Sequence, residues 1–251
     1  MPSQFEKSNR IAKVSQGFVF AVFLIFASAS STIFAAEFFV HPGGSDEAPG
    51  SIEQPWRTIS FACLQLEPGD TLRVARQRFR NEGEILLRYV DPVSYEYLPL
   101  EGTPTAVTRI LPYGPGRQLP KIYGQIDIRG SHIEVRKLDV IGDLVSTRPG
   151  FGVYESHHIT ISACRVHHHG GGGINFNQCD VVYATRNIVY RNAALNPDQH
   201  SGISSYQPIT RADSNRRYGI YFARNRCIAN KNTVPPSGSD KITDGNGIVI
   251  D

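Results

Sequence analysis

Apolar positions along the second half of the chain fall into one recurring pattern: apolar, any, apolar, any, any, fixed position, any, apolar. Four segments carry it: Ile133-Val135-Leu138-Val140, Ile159-Ile161-Cys164-Val166, Val182-Ala184-Asn187-Val189 and Ile220-Phe222-Asn225-Cys227. Their first positions are 26, 23 and 38 residues apart, so the unit is a coil whose loops vary in length. The first two positions alternate as in a strand with one buried face, and the two-residue step before the fixed position marks a bend. Each segment therefore predicts strand, turn, strand.

At the turn stand Leu138, Cys164, Asn187 and Asn225. In a solenoid these positions lie above one another, and a buried asparagine amide can donate and accept along such a stack. A further strand opens each coil: Gly152-Val153-Tyr154, Gly173-Ile174-Asn175-Phe176, Gly202-Ile203-Ser204 and Gly247-Ile248-Val249-Ile250. Alternation turns Val153, Ile174, Phe176, Ile203, Ile248 and Ile250 inward, and Tyr154, Asn175, Asn177, Ser204 and Asp251 outward. The predicted fold is all-β, a right-handed parallel β-helix.

The N-terminal part differs in kind. Phe38-Phe39-Val40 reads as a strand and His41 to Ser51 as a loop of Gly, Pro and Asp. Ile59, Ala62, Cys63 and Leu66 have the spacing of one helix face, and Pro68-Gly69-Asp70 ends that helix before a strand from Thr71 to Val74. A short amphipathic helix before the first coil is expected to cap the solenoid. The predicted organisation is a signal peptide over 1–35, this N-terminal segment over 36–74, and coils over 75–251. The last strand has no following turn, second strand or cap in the sequence, so the coils are expected to be incomplete at the C-terminus.

The signal peptide rests on order: Lys7, Arg10 and Lys13 precede an apolar run from Gly17 to Phe26, then a small polar stretch and Ile33-Phe34-Ala35-Ala36. Cleavage after Ala35 removes three basic residues and one acidic residue (Glu6), so the 26 basic and 23 acidic residues of the whole chain become 23 and 22. The mature chain is nearly neutral, without the clustered basic face of a nucleic-acid binder. A secreted or periplasmic protein is expected, with no stable membrane insertion once the signal is cut. The 23 glycines and 16 prolines suit many short strands and turns. Four cysteines permit disulfides in an exported chain, but Cys164 and Cys227 fall at apolar positions of the repeat and read as buried thiols.

The run Phe39-Val40-His41-Pro42-Gly43-Gly44-Ser45-Asp46, with Pro49-Gly50-Ser51, Gln54-Pro55-Trp56-Arg57-Thr58-Ile59 and Pro68-Gly69-Asp70-Thr71, resembles the N-terminal segment of extracellular right-handed β-helix proteins. These include the pectate-lyase superfamily and its family nine polysaccharide lyases. The resemblance covers residues 38–74 and, in pattern, the coils from about 121 to 251. It implies cleavage of an acidic polysaccharide, usually pectate, by β-elimination with calcium and a lysine base.

Candidate chemistry lies on the loops between coils. Ser239 to Asn246, ending at Asp251, offers Asp240, Asp244, Asn246 and Asp251 as oxygen ligands for calcium, and Lys241 as the base. The alternative is a solvated turn, since Asp, Gly and Asn are ordinary turn residues. Asp198 and His200 are a weaker polar pair of the same sort as the histidine run 167–169, with His200 as a second catalytic candidate. His167, His168 and His169 are adjacent on an extended segment and point to alternate sides, so one ion cannot take all three; His168 is a substrate contact instead. Asn175, Asn177 and Tyr206 complete the predicted sugar-binding set. The leading expectation is a lyase on an acidic polysaccharide. The alternatives are a non-catalytic carbohydrate-binding or structural solenoid, marked by outward Tyr154 and Tyr206, and a glycoside hydrolase, which needs facing carboxylates.

Overall fold

The computed structural model describes residues 35–195, 201–210, 219–235 and 247–250. Apart from Ala35, the signal segment lies outside them. The chain enters through β1 (Glu37–Val40), a single helical turn α1 (Ile59–Cys63), β2 (Thr71–Ala75) and the long β3 (Arg78–Leu87). A hairpin follows, β4 (Tyr89–Val90) with β5 (Tyr97–Leu98), then β6 (Leu100–Glu101), β7 (Thr108–Tyr113) and β8 (Lys121–Ile128).

From there the chain repeats. One coil gives β9 (Gly130–Arg136) and β10 (Asp139–Ile141). The next gives β11 (Phe151–Tyr154), β12 (His157–Ser162) and β13 (Arg165–His167); then come β14 (Ile174–Asn177), β15 (Asp180–Thr185) and β16 (Ile188–Tyr190). The last described strands are β17 (Ile203–Tyr206), β18 (Ile220–Ala223), β19 (Arg226–Ile228) and β20 (Ile248–Ile250).

Equivalent strands pair in parallel, making three faces. The first is β1-β2-β7-β9-β12-β15-β18. The second runs β19-β16-β13-β10 onto the first half of β8, and the third β11-β14-β17-β20 from its second half. The predicted strand–turn–strand units are β9–β10, β12–β13, β15–β16 and β18–β19, in the predicted register.

That register stacks apolar side chains into columns along the axis. Ile122, Val140, Val166, Val189 and Cys227 form the inner column of the second face. Ile126, Phe151, Ile174 and Ile203 line the third. All but Cys227 are essentially inaccessible to solvent. Burial at roughly 25 cal/mol per Å² of apolar surface makes these columns the main stabilising term. Ile248 and Ile250 join the third face on β20 and are partly exposed there.

The bends are built alike. Lys137, Ala163, Arg186 and Arg224 have φ between 53° and 58°, and each precedes the fixed position of its repeat. Asn187 and Asn225 form the expected ladder: Asn225 Oδ1 accepts from Asn187 N (2.9 Å), and Asn187 Oδ1 accepts from Cys164 N (2.9 Å). Their amide nitrogens donate to the Ile161 and Ala184 carbonyls.

A second ladder stands at the next corner, where the sequence reading placed none. Asn230 Oδ1 accepts from Asn192 N and Asn192 Oδ1 from His169 N, both at 3.1 Å, while the amides donate to the Val189 and Val166 carbonyls. His169 fills the amide position of the next coil, its Nε2 3.3 Å from the Val140 carbonyl.

The N-terminal motif has a local cause. Asp46 accepts from the backbone N–H groups of Arg57 and Thr58 and from the Thr58 hydroxyl, all at 2.9 Å, fixing the approach to α1. Thr58 then caps α1 by accepting from Phe61 N. Gly50 (φ 79°) leaves room for the Trp56 indole, which stacks on Phe38 at 4.8 Å. The helix is shorter than its apolar spacing suggested, yet Ile59, Ala62, Cys63 and Leu66 are all buried, because Leu66 continues inward from the turn that follows. The helix packs on β3 and β2.

All four cysteines are free thiols. Burial pushes Cys164 up to about 12 and both Cys179 and Cys227 up to about 11, as suits inert packing groups.

A candidate carbohydrate groove on the second face

Outside the second face, either side of its inner column, two rows of side chains follow the same register. One row is Arg78, Lys121, Asp139, Arg165, Ile188 and Arg226. The other is Tyr123, Ile141, His167, Tyr190 and Ile228. Four cations and one carboxylate thus lie along one line, with rungs about 4.8 Å apart.

The loop after β10 closes over these rows and leaves two adjoining hollows. One, of about 440 Å³, is lined by Lys121, Tyr123, Asp139, Asp143, Arg165, His167, His168 and Tyr190. Its neighbour, of about 410 Å³, shares Tyr123, Ile141, Gly142 and Asp143 and extends to Glu84, Gln125, Arg148 and His169. A third, near Arg76, Arg78 and Lys121, continues the line towards the N-terminus.

Hydrogen bonds order the centre. Asp139, 2% exposed, lies 3.0 Å from His167 Nε2 and 3.4 Å from Arg165. His167 Nδ1 lies 2.6 Å from His168 Nδ1, and the His167 ring stacks on Tyr190 with centroids 4.6 Å apart. The carboxylate places a proton on His167 Nε2, so Nδ1 accepts from His168 Nδ1–H and the basic lone pair of His168 is on Nε2. Burial, then the neighbouring His167 and Arg191, hold His168 below its ordinary value, which keeps it neutral at pH 7. Burial and then Asp139 raise Tyr190 and keep it a phenol.

Two sequence expectations need correction here. Adjacent histidines do meet: His168 has φ 61°, which breaks the alternation of the strand and brings its ring against His167. Asn175 does not point into solvent. It is 4% exposed and accepts from the Ser204 hydroxyl at 2.9 Å, because the Gly170–Gly173 run folds down on it; a Cβ at Gly172 would sit 2.3 Å from its Oδ1.

The other expected contacts scatter. His168 lines the groove, whereas Asn177 and Tyr206 stack in register on the outside of the third face. Lys241, His200, Asp240, Asp244, Asn246 and Asp251 lie outside the described residues. Asp139, Arg165, Lys121 and Tyr190 were missed. The signal for Asp139, Arg165 and Tyr190 was in the repeat, at the positions flanking its last apolar residue, whereas Lys121 precedes the first repeat segment.

The described groove residues do not form a calcium cradle. Asp139 is engaged by His167 and Arg165, Glu84 by Arg148, and Asp143 accepts from the N–H groups of Val145 and Ser146. Calcium favours several uncommitted oxygens.

No family model and no curated protein matches this sequence. Among solved structures, a rhamnogalacturonan lyase superposes with TM-score 0.52 at 13% identity, over 86% of this chain and 62% of that one. Pectate lyase Pel9A gives 0.49 at 14% identity, over 86% and 60%. A GH136 lacto-N-biosidase from Eubacterium ramulus gives 0.38 at 14%, over 69% and 41%. The chain has a parallel β-helix fold, shared with the rhamnogalacturonan lyase. It spans less than two thirds of the length of the lyases to which it is similar.

Proposed function

We propose that this protein is an exported polysaccharide lyase that binds an acidic glycan along the second face. The observation that carries the reading is the row Arg78, Lys121, Arg165 and Arg226 beside the chain Asp139–His167–His168. Uronate carboxylates laid along that row meet cations on four of its six rungs. β-Elimination needs the carboxylate neutralised, the proton beside it removed and the leaving oxygen protonated. Lys121 and Arg165 serve the first need. His168 Nε2 takes the proton, its tautomer set through His167 and Asp139. The Tyr190 hydroxyl gives a proton to the departing sugar oxygen, and the products are one unsaturated uronate end and one new reducing end.

The charged, apolar and small-residue order of residues 1–35 supports export. Among the described residues no helix is long and apolar enough to cross a membrane. The fold shared with a rhamnogalacturonan lyase agrees with a glycan substrate.

The test is incubation of the mature chain with rhamnogalacturonan, pectate, alginate and neutral glycans, following ultraviolet absorbance of the unsaturated product. Absorbance with an acidic glycan, lost in His168→Ala, supports the reading. Loss on chelation, restored by calcium, moves the chemistry to a metal held by Asp240, Asp244, Asn246 and Asp251, with Lys241 or His200 as base. Reducing ends without absorbance mean hydrolysis. Binding without cleavage means a carbohydrate-binding module.

A further inference from the structure

Away from the groove, on the first face, three histidines converge. His132 on β9 and His158 on β12 sit opposite each other on neighbouring rungs, with rings stacked at 4.4 Å and 7°. His157 Nδ1 lies 2.8 Å from His158 Nδ1, and one donor nitrogen from each of the three rings falls within 4.8 Å of the others. The Glu101 carboxylate is 3.8 Å from His157 Nε2. Registers explain the convergence: Glu101, Ser131, His157 and Asp180 occupy one column, and the small Ser131 between them lets Glu101 approach His157.

Two consecutive histidines on a strand ordinarily face opposite sides. Here they do not. His132 and His158 have φ of 53° and 55°, a left-handed kink that Val181 repeats one coil later at 50°. The kink belongs to the coil, and in two successive coils histidine occupies it and its ring meets that of His157.

We infer that His132, His157 and His158 form a binding site for a transition-metal dication of the zinc or copper class, with Glu101 as fourth ligand or as the carboxylate that orients His157. Imidazole nitrogens select such ions over calcium or magnesium. Zn–N bonds of 2.0–2.1 Å in a tetrahedron put ligand nitrogens roughly 3.3 Å apart, so the spacing observed needs only small ring rotations. An ion here ties β9, β12 and the Glu101 strand together and would act as a staple between coils. The site is independent of the proposed lyase chemistry.

The experiment uses the mature chain, stripped with chelator and then titrated with zinc chloride, with calcium chloride as control. Binding is followed by calorimetry and bound metal by elemental analysis. One zinc per chain and a raised melting temperature with zinc, unmatched by calcium, are expected. Both are lost in His158→Gln and His132→Gln and kept in His167→Gln, which alters only the groove. Glu101→Gln, at a half-exposed strand end, weakens zinc by roughly tenfold to a hundredfold and guards against a folding defect in the histidine variants. Zinc bound by the unmodified chain and lost only in His167→Gln places the ion in the groove and overturns the assignment. So does the absence of stoichiometric zinc binding at neutral pH, which identifies the cluster as a hydrogen-bonded histidine pair with a stacked neighbour.

Discussion

Asn187 Nδ2 donates to the carbonyl of Ile161, one coil back, at 3.0 Å. The same side chain accepts from Cys164 N, so one amide satisfies two backbone groups that the bend would leave unpaired inside the solenoid. Asn187 is fully buried. Replacing it with alanine leaves both groups without partners, and Asn187→Ala is expected to cost roughly 1–3 kcal/mol. Asn192→Ala, in the second ladder, should cost a similar amount. Urea unfolding midpoints of both variants measure this; an unchanged midpoint for Asn192→Ala would mean that the second ladder carries no stability.

His169 gives that ladder a pH dependence. Burial holds its imidazole down at about 4, against an ordinary 6.5. Between those values the unfolded chain binds a proton that the native chain excludes, so stability falls as pH drops through the window, by up to roughly 3 kcal/mol. His169→Asn offers an amide to the Val140 carbonyl, as Asn192 does to Val166. That variant should match the parent at pH 7 and lose less stability between pH 6.5 and 4. Thermal melts across the range decide it, and parallel curves would sink the assignment.

Ser205 points into the core of the third face, in the column of Val153, Phe176 and Ile250. It is fully buried, and its hydroxyl finds no partner among the described residues. Ser205→Val removes an unpaired hydroxyl and adds apolar volume, and should raise stability by about 1–2 kcal/mol. A lower melting temperature would show that the site is too tight for the extra methyl groups or that the hydroxyl has a partner.

The coils were legible because alternation and bends repeat with fixed spacing: Ile133, Ile159, Val182 and Ile220 announce the first face whatever the loop lengths. The second ladder was legible too, since Asn192 and Asn230 each stand five residues after a ladder asparagine, but it falls where the pattern gives way to loops. The groove was harder. A near-neutral composition conceals a cationic row whose members, on β3, β8, β13 and β19, line up only once the coils are in register. Asn175 misled because strand alternation assigns a face and says nothing of what folds over it. His167 and His168 misled because an αL residue, here His168, cancels the alternation, and although histidine is among the residues enriched in αL, the sequence does not say at which position it adopts it.

The groove's own prediction concerns the acid limb of its pH profile. If His168 Nε2 removes the proton, kcat/KM on the acidic glycan falls as His168 becomes protonated. Its imidazole is held below the ordinary value by burial first, then by the neighbouring His167 and the Arg191 cation, so the midpoint lies below 6.5. Removing the cation in Arg191→Gln relieves part of that depression and moves the midpoint upward, with activity at pH 8 nearly unchanged. Asp139→Asn acts differently. It removes the charge that sets the His167 tautomer and frees Arg165, so activity should fall by at least about a hundredfold, the scale of general-base catalysis, at every pH. Arg165→Ala raises KM for charged glycans and spares methyl-esterified ones. Steady-state kinetics from pH 4.5 to 9 separate these outcomes. An acid limb indifferent to Arg191→Gln, together with an Asp139→Asn enzyme of normal rate, would remove His168 from the chemistry and leave the row of cations as a binding surface alone.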